Sequence, residues 1–127
     1  MKETKKKLIL VAEDDKFYAN IYKTKLAKEG FDTVIVGNGQ EALQFVQKER
    51  PDLILLDLIM PVKDGFDTLS ELKNSKDFSS IKVLVLSNLG QDEDIERVKE
   101  LKADGYLVKT NTSIVEMVEK VKQILVK

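Results

Sequence analysis

Short apolar runs punctuate this chain, and between them apolar residues return at every third or fourth position. The runs are Leu8–Ala12, Thr33–Val36, Leu53–Leu56, Lys82–Leu86 and Gly105–Val108. Rich in Val, Ile and Leu and mostly continuous, they predict strands covered on both faces. The intervening stretches predict helices. Over Lys16–Glu29, the residues Phe17, Tyr18, Ile21, Tyr22 and Leu26 form one stripe, and Gly30 is a stop signal. Asn38 caps a second helix carrying Ala42, Leu43 and Val46, which closes before Pro51. Phe66, Leu69 and Leu72 mark a third helix; Ile95, Val98 and Leu101 mark a fourth. A fifth runs from about Ser113 to Val126 with Ile114, Val118, Val121 and Leu125 on one face. Thr112 or Ser113 forms a capping box with Glu116 there. The Tyr and Phe residues are mostly core candidates.

Strands that alternate with helices imply right-handed crossovers and a parallel sheet with helices on both sides. The expected fold is α/β, a doubly wound five-stranded parallel sheet. In strand order 2-1-3-4-5, the carboxyl ends of the first, third, fourth and fifth strands are neighbours around the switch point, where ligands bind in such sheets. There is no internal repeat, low-complexity segment or interdomain linker. Residues 1–7 read as a flexible charged lead-in and residues 8–127 as one domain.

At 127 residues, the chain can bury a substantial core. A net charge of −1 lacks the basic excess of a general nucleic-acid binder, so no direct nucleic-acid contact is expected. The absence of cysteine excludes disulfides, thiolate metal sites and a cysteine nucleophile. The absence of histidine excludes serine–histidine triads and imidazole ligands. The basic start followed by Leu8–Ala12 is too short for a signal peptide, and Glu13-Asp14-Asp15 interrupts it. No run approaches membrane-spanning length, so no membrane association and a cytoplasmic location are expected.

Candidate chemistry lies at the strand ends. Glu13 and Asp14 follow the first strand, Asp57 ends the third, Ser87 the fourth and Lys109 the fifth. Singly, each has a plain reading: an acidic helix start, a turn before Pro61, a solvated lysine. Gathered at one sheet edge, three carboxylates repel one another and call for a hard cation such as Mg2+. Lys109 beside them can neutralise an incoming anion. Together they describe a pocket that handles phosphate. Gly37-Asn38-Gly39 lacks the further glycine and lysine of a phosphate cradle and reads as a turn with a helix cap.

These residues resemble the receiver domain of two-component response regulators, especially the single-domain type used in chemotaxis. The resemblance spans about Leu8 to Leu125. Its motifs are Leu10-Val-Ala-Glu-Asp-Asp15, Leu55-Leu-Asp-Leu-Ile-Met-Pro61 with Asp64-Gly65, Val85-Leu-Ser87 and Tyr106-Leu-Val-Lys109. It implies a flavodoxin-like (βα)5 fold and a phosphorylation-activated switch rather than an enzyme. Asp57 would be the phosphoacceptor. Asp14 and Asp57 would coordinate Mg2+ directly, Glu13 largely through metal-bound water, and the Ile59 backbone carbonyl would add a ligand. Ser87 and Lys109 would contact the phosphoryl group, and Tyr106 would be the aromatic switch residue. Since the chain has no histidine, the phosphohistidine donor would be a sensor histidine kinase or phosphotransfer protein. The output partner, unidentified, would meet the fourth helix, fifth strand and fifth helix. Because the sequence ends after its fifth helix, no output domain is expected.

The chain departs from the family's usual pattern twice. Asn88 stands where a small residue normally follows the switch hydroxyl. Thr110 replaces the proline that normally follows the lysine through a cis bond, so that bond is either cis and strained or trans with a reshaped loop. By the same resemblance, Ile59 and Leu89 sit where side chains admit or orient a hydrolytic water. Both are apolar, which implies slow loss of phosphate. The alternatives are a protein-binding module that works without phosphorylation and a flavin-binding electron carrier.

Overall fold

The computed structural model describes residues 6–126. Its elements are β1 (Leu8–Ala12), α1 (Lys16–Lys28), β2 (Asp32–Val36), α2 (Gly39–Lys48), β3 (Leu53–Leu56), α3 (Gly65–Lys73), β4 (Lys82–Ser87), α4 (Asp92–Glu100), β5 (Gly105–Val108) and α5 (Ile114–Leu125). A 3-10 turn over Lys109–Asn111 joins β5 to α5. All strand pairs are parallel, and the sheet order is β2-β1-β3-β4-β5. The doubly wound architecture is therefore as expected. Residues 1–5 of the expected lead-in, and Lys127, lie outside the described residues.

Alternation along the central strands feeds two cores. Leu10 and Ala12 of β1, Ile54 and Leu56 of β3, and Val83 and Val85 of β4 face α2, α3 and α4. There they meet Ala42, Val46, Phe66, Leu69, Leu72 and Val98. Ile9, Val11, Leu53, Leu55, Leu84 and Leu86 face the other way, toward Tyr22 and Leu26 of α1 and Met117, Val118, Val121 and Ile124 of α5. Each fully buried Leu or Ile side chain contributes about 1.5–3 kcal/mol relative to exposure, so these two layers dominate the stability. The outer strands β2 and β5 are only half-buried. Being on the sheet's edges, they are not covered on both faces as the apolar runs alone suggest.

Caps fix where helices begin. Asp15 accepts from the Phe17 and Tyr18 amides, Asn38 from Glu41, Asp64 from Asp67, and Ser113 from Glu116. Of the two residues proposed for the last cap, Ser113 holds it, and the Glu116 side chain returns the bond to its amide. Gly30 follows α1 with φ +93°, a left-handed stop. Two helical faces differ from their periodicity. Phe17, in the first turn of α1, is 70% exposed. In α4 only Val98 is buried, and Gln91 before it makes no side-chain cap bond.

Candidate functional site

Each parallel strand ends at the same edge of the sheet, and there the chain delivers its polar groups. The Glu13 amide bonds Val36 O at 3.0 Å, and the Asp57 amide bonds Ala12 O at 3.0 Å, extending the ladder by one residue at the ends of β1 and β3. Both acids are thereby fixed by backbone and held in nearly complete burial. Ser87 is the last residue of β4 and fully buried. Lys109 directly follows β5 in the 3-10 turn.

The structure brings these residues together. Lys109 Nζ lies 2.5 Å from Glu13 Oε1 and 3.1 Å from Asp57 Oδ2. The other Asp57 oxygen, Oδ1, accepts the Leu58 amide at 2.8 Å and the Ile59 amide at 3.4 Å. Glu13 Oε2 accepts the Asp15 amide at 3.1 Å. A cleft of about 290 Å³ opens above Glu13, Asp57 and Lys109, lined also by Asp14, Asp15, Tyr18, Ile59, Ser87 and Asn88. A larger groove of about 450 Å³ on the outer face of α1, lined by Phe17, Ile21 and Lys25 among others, holds none of these acids.

The three acidic residues after β1 divide the readings made of them. All three line the cleft, but Asp15 spends its side chain on the helix cap, whereas Glu13 and Asp14 cluster with Asp57. Carboxylate oxygens of Glu13, Asp14 and Asp57 lie within 4.8 Å of one another, close enough for one cation to meet all three. Every donor is a hard oxygen, and Asp14 is exposed, so water can complete a shell; this suits Mg2+. Burial pushes the Glu13 carboxyl up to about 7, against the pull of its hydrogen bond from Lys109 and with a further push from Asp57. Burial also opposes the charge on Lys109, but Glu13 and Asp57 outweigh it and hold the ammonium above its ordinary value.

Gly65 keeps the floor of this site close-packed. A Cβ there would lie 2.2 Å from the Asp57 carbonyl oxygen, and its amide already bonds Leu58 O at 3.0 Å. In the same loop Val62 has φ +67° and is 82% exposed. A β-branched residue in the left-handed region carries strain, and no sequence pattern announced it.

Tyr106 is half-buried, and its hydroxyl donates to the Leu89 carbonyl. Burial, with Asp94 and Asp57 adding to it, raises the phenol, so it remains a donor. The Leu89 amide in turn reaches Ser87 Oγ at 3.5 Å. One residue, Leu89, thus lies between the two expected switch residues, its amide toward Ser87 and its carbonyl toward Tyr106. Sequence reasoning assigned Leu89 a side-chain role instead. That side chain packs against the core under α2, α3 and α4, while Ile59, 59% exposed, lines the cleft. No cis peptide occurs among the described residues, so the Lys109–Thr110 bond is trans and the loop is reshaped as a 3-10 turn. Thr112 Oγ1 ties that turn to Val108 O at 2.8 Å. Also unforeseen was Tyr18, whose ring centre lies 4.6 Å from Lys109 Nζ.

Residues 9–122 match the response regulator receiver domain family. The chain belongs to that family: it is a receiver domain, a signalling module of two-component systems. It is 38% identical over 107 residues to the Probable transcriptional regulator ycf27 of Cyanophora paradoxa, covering 84% of this chain and 44% of that protein. It is 36% identical over 107 residues to the DNA-binding response regulator MtrA of Mycolicibacterium smegmatis, covering 84% and 46%. Among solved structures, the Mn2+-bound form of response regulator Rcp1 superposes with a TM-score of 0.79 at 30% identity, over 94% of this chain and 89% of that one.

The chain therefore spans less than half the length of these curated relatives. Their names correct one expectation. The absence of direct nucleic-acid contact does not stand, because relatives are named as a DNA-binding regulator and a transcriptional regulator. The near-neutral charge speaks only for the residues over which it is summed. No helix among the described residues is long and apolar enough to cross a membrane.

Proposed function

We propose that Asp57 accepts a phosphoryl group from a phosphohistidine on a partner protein and that the chain changes a protein-binding surface in response. The observation that carries this reading is the Asp57 carboxylate at a cleft floor, held by Lys109 on one oxygen and two amides on the other. In the transfer, an Asp57 oxygen forms a bond to phosphorus as the P–N bond to the donor imidazole breaks. The imidazole nitrogen leaves with the electron pair and takes a proton from solvent. Lys109 moves its contact from the Asp57 carboxylate to a phosphoryl oxygen, where its charge offsets the charge that develops. Ser87 donates its hydroxyl to another of those oxygens.

Asp14 and Asp57 would hold Mg2+ directly, with Glu13 acting through bound water and the Ile59 carbonyl as a further ligand. When bound, Mg2+ supplies positive charge to the phosphoryl oxygens. Ser87 releases its contact with the Leu89 amide as it turns to the phosphoryl group. That frees the backbone of Leu89 and with it Tyr106, which reshapes the surface of α4, β5 and α5. The shallow seating of α4, with Val98 as its single buried residue, favours this helix as the moving part. The relatives' names support transcription as the process served.

The test is exposure of the Mg2+-loaded protein to acetyl phosphate, followed by intact mass. Wild type should gain one phosphoryl group, and Asp57→Asn or removal of Mg2+ by a chelator should prevent it. Equal uptake by Asp57→Asn would place the acceptor elsewhere.

A further inference from the structure

We propose that Tyr18 is a positioning residue for Lys109: the face of its ring holds the ammonium in the cleft while that ammonium shifts from the Asp57 carboxylate to the phosphoryl group. This rests on the reading of Asp57 as phosphoacceptor. A lysine ammonium has three hydrogens to place. Glu13 Oε1 at 2.5 Å and Asp57 Oδ2 at 3.1 Å take two. The Tyr18 ring, with its centre 4.6 Å from Nζ, is the remaining partner. Its negative π-face attracts a cation over a broad area rather than along one line.

That lack of direction suits the reaction. Phosphorylation moves negative charge from Asp57 outward onto the phosphoryl oxygens, so the ammonium must travel with it. A carboxylate contact breaks on such a shift, whereas a ring contact survives it. The ring also covers one side of the ammonium, leaving the Lys109 side chain only 5% exposed. Water is thus kept from a charge whose effect depends on a dry surrounding.

Tyr18 is itself braced. Its ring stacks on Tyr22 at 5.9 Å, one helical turn further along α1, and Tyr22 is buried against the core. Phe17 adds an edge-type contact, the two ring centres 5.8 Å apart. The Asp15 cap starts the helix three residues earlier and so sets the height of the ring above the sheet. The 3-10 turn after Lys109 has no proline to stiffen it. The ring therefore supplies from α1 a constraint on Lys109 that the turn does not.

The experiment uses the full chain carrying Tyr18→Leu or Tyr18→Phe, with acetyl phosphate as donor and intact mass as readout. Tyr18→Leu should lower the maximal phosphorylation rate of Asp57 about tenfold, about 1.4 kcal/mol of barrier. The half-saturating donor concentration and Mg2+ affinity should stay near wild type. Tyr18→Phe, which keeps the π-face, should recover most of the rate. In a Lys109→Gln background, Tyr18→Leu should cost nothing more. In the metal-free protein without donor, the Lys109 side-chain protons should show an upfield ring-current shift in wild type and Tyr18→Phe that Tyr18→Leu lacks.

A wild-type rate in Tyr18→Leu overturns the proposal while leaving the Asp57 reading intact. So does Tyr18→Phe as slow as Tyr18→Leu, an undiminished Tyr18→Leu loss in Lys109→Gln, or a Lys109 shift indifferent to the ring. A wild type that takes up no phosphoryl group removes the Asp57 reading and this proposal with it.

Discussion

Glu13 has the ordinary value of 4.5 in the unfolded chain and is pushed up to about 7 in the fold, mainly by burial. Between these values the folded protein keeps a proton that the unfolded chain has released. Stability from this group is complete below 4.5 and is lost as pH rises through about 7. Without divalent metal, the urea midpoint should therefore fall from about pH 5 to about pH 8, and Glu13→Gln should flatten that fall. An equal slope in the variant would assign the proton to another group. Ile59 is the second residue whose environment makes a prediction. Its exposed side chain lines the cleft and cannot hydrogen-bond an attacking water. Ile59→Asn should shorten the lifetime of phosphorylated Asp57 several-fold, read by intact mass after donor removal. An unchanged lifetime would show that this side chain does not limit hydrolysis. At this scale the sequence was informative about charge and silent about contact. Glu13, Asp14, Asp57, Ser87 and Lys109 could be placed because each ends or follows a strand. Tyr18 over Lys109 could not, since a stripe on α1 gives no sign of a lysine after β5.

Among the helices, α4 stands apart. It buries Val98 alone, its cap residue Gln91 offers no side-chain bond, and its first turn is Asp92-Glu93-Asp94. By contrast, α5 begins with a reciprocal capping box and buries Met117, Val118, Val121 and Ile124. Hydrogen exchange should accordingly be fastest in α4 among the five helices. Gln91→Ser should slow exchange in its first turn and raise stability by about 0.5–1 kcal/mol. Protection in α4 equal to that of α5 would contradict the assignment of α4 as the loosely held element. The same helix shows where periodicity stops being informative. Ile95, Val98 and Leu101 share a face, yet Ile95 and Leu101 are only half-buried. Spacing says which residues lie together, but the extent of their burial is set by what lies beneath, here the outer part of the sheet at β5. The strands were legible because Val, Ile and Leu runs between helices admit few other arrangements, and the cap at Asn38 was legible from local chemistry, which for α5 left Thr112 and Ser113 open.

Taken whole, the molecule is a stable two-sided core with three acids concentrated at one edge. Their mutual repulsion is a cost of the metal-free fold, and a divalent cation should relieve it. Saturating Mg2+ should stabilise wild type by about 1–3 kcal/mol, seen as a rise in thermal midpoint, and Asp14→Asn should lose most of that response. An identical Mg2+ response in both proteins would remove Asp14 from the site. A phosphoryl group on Asp57 should be felt at the α4, β5 and α5 surface through Ser87, the backbone of Leu89 and Tyr106. The most direct measurement is the NMR spectrum of the Tyr106 ring with and without acetyl phosphate, in the presence of Mg2+, for wild type and Ser87→Ala. A phosphorylation-dependent shift should appear in wild type and be largely lost in Ser87→Ala, although intact mass shows both proteins phosphorylated. Equal Tyr106 shifts in the two phosphorylated proteins would contradict this coupling.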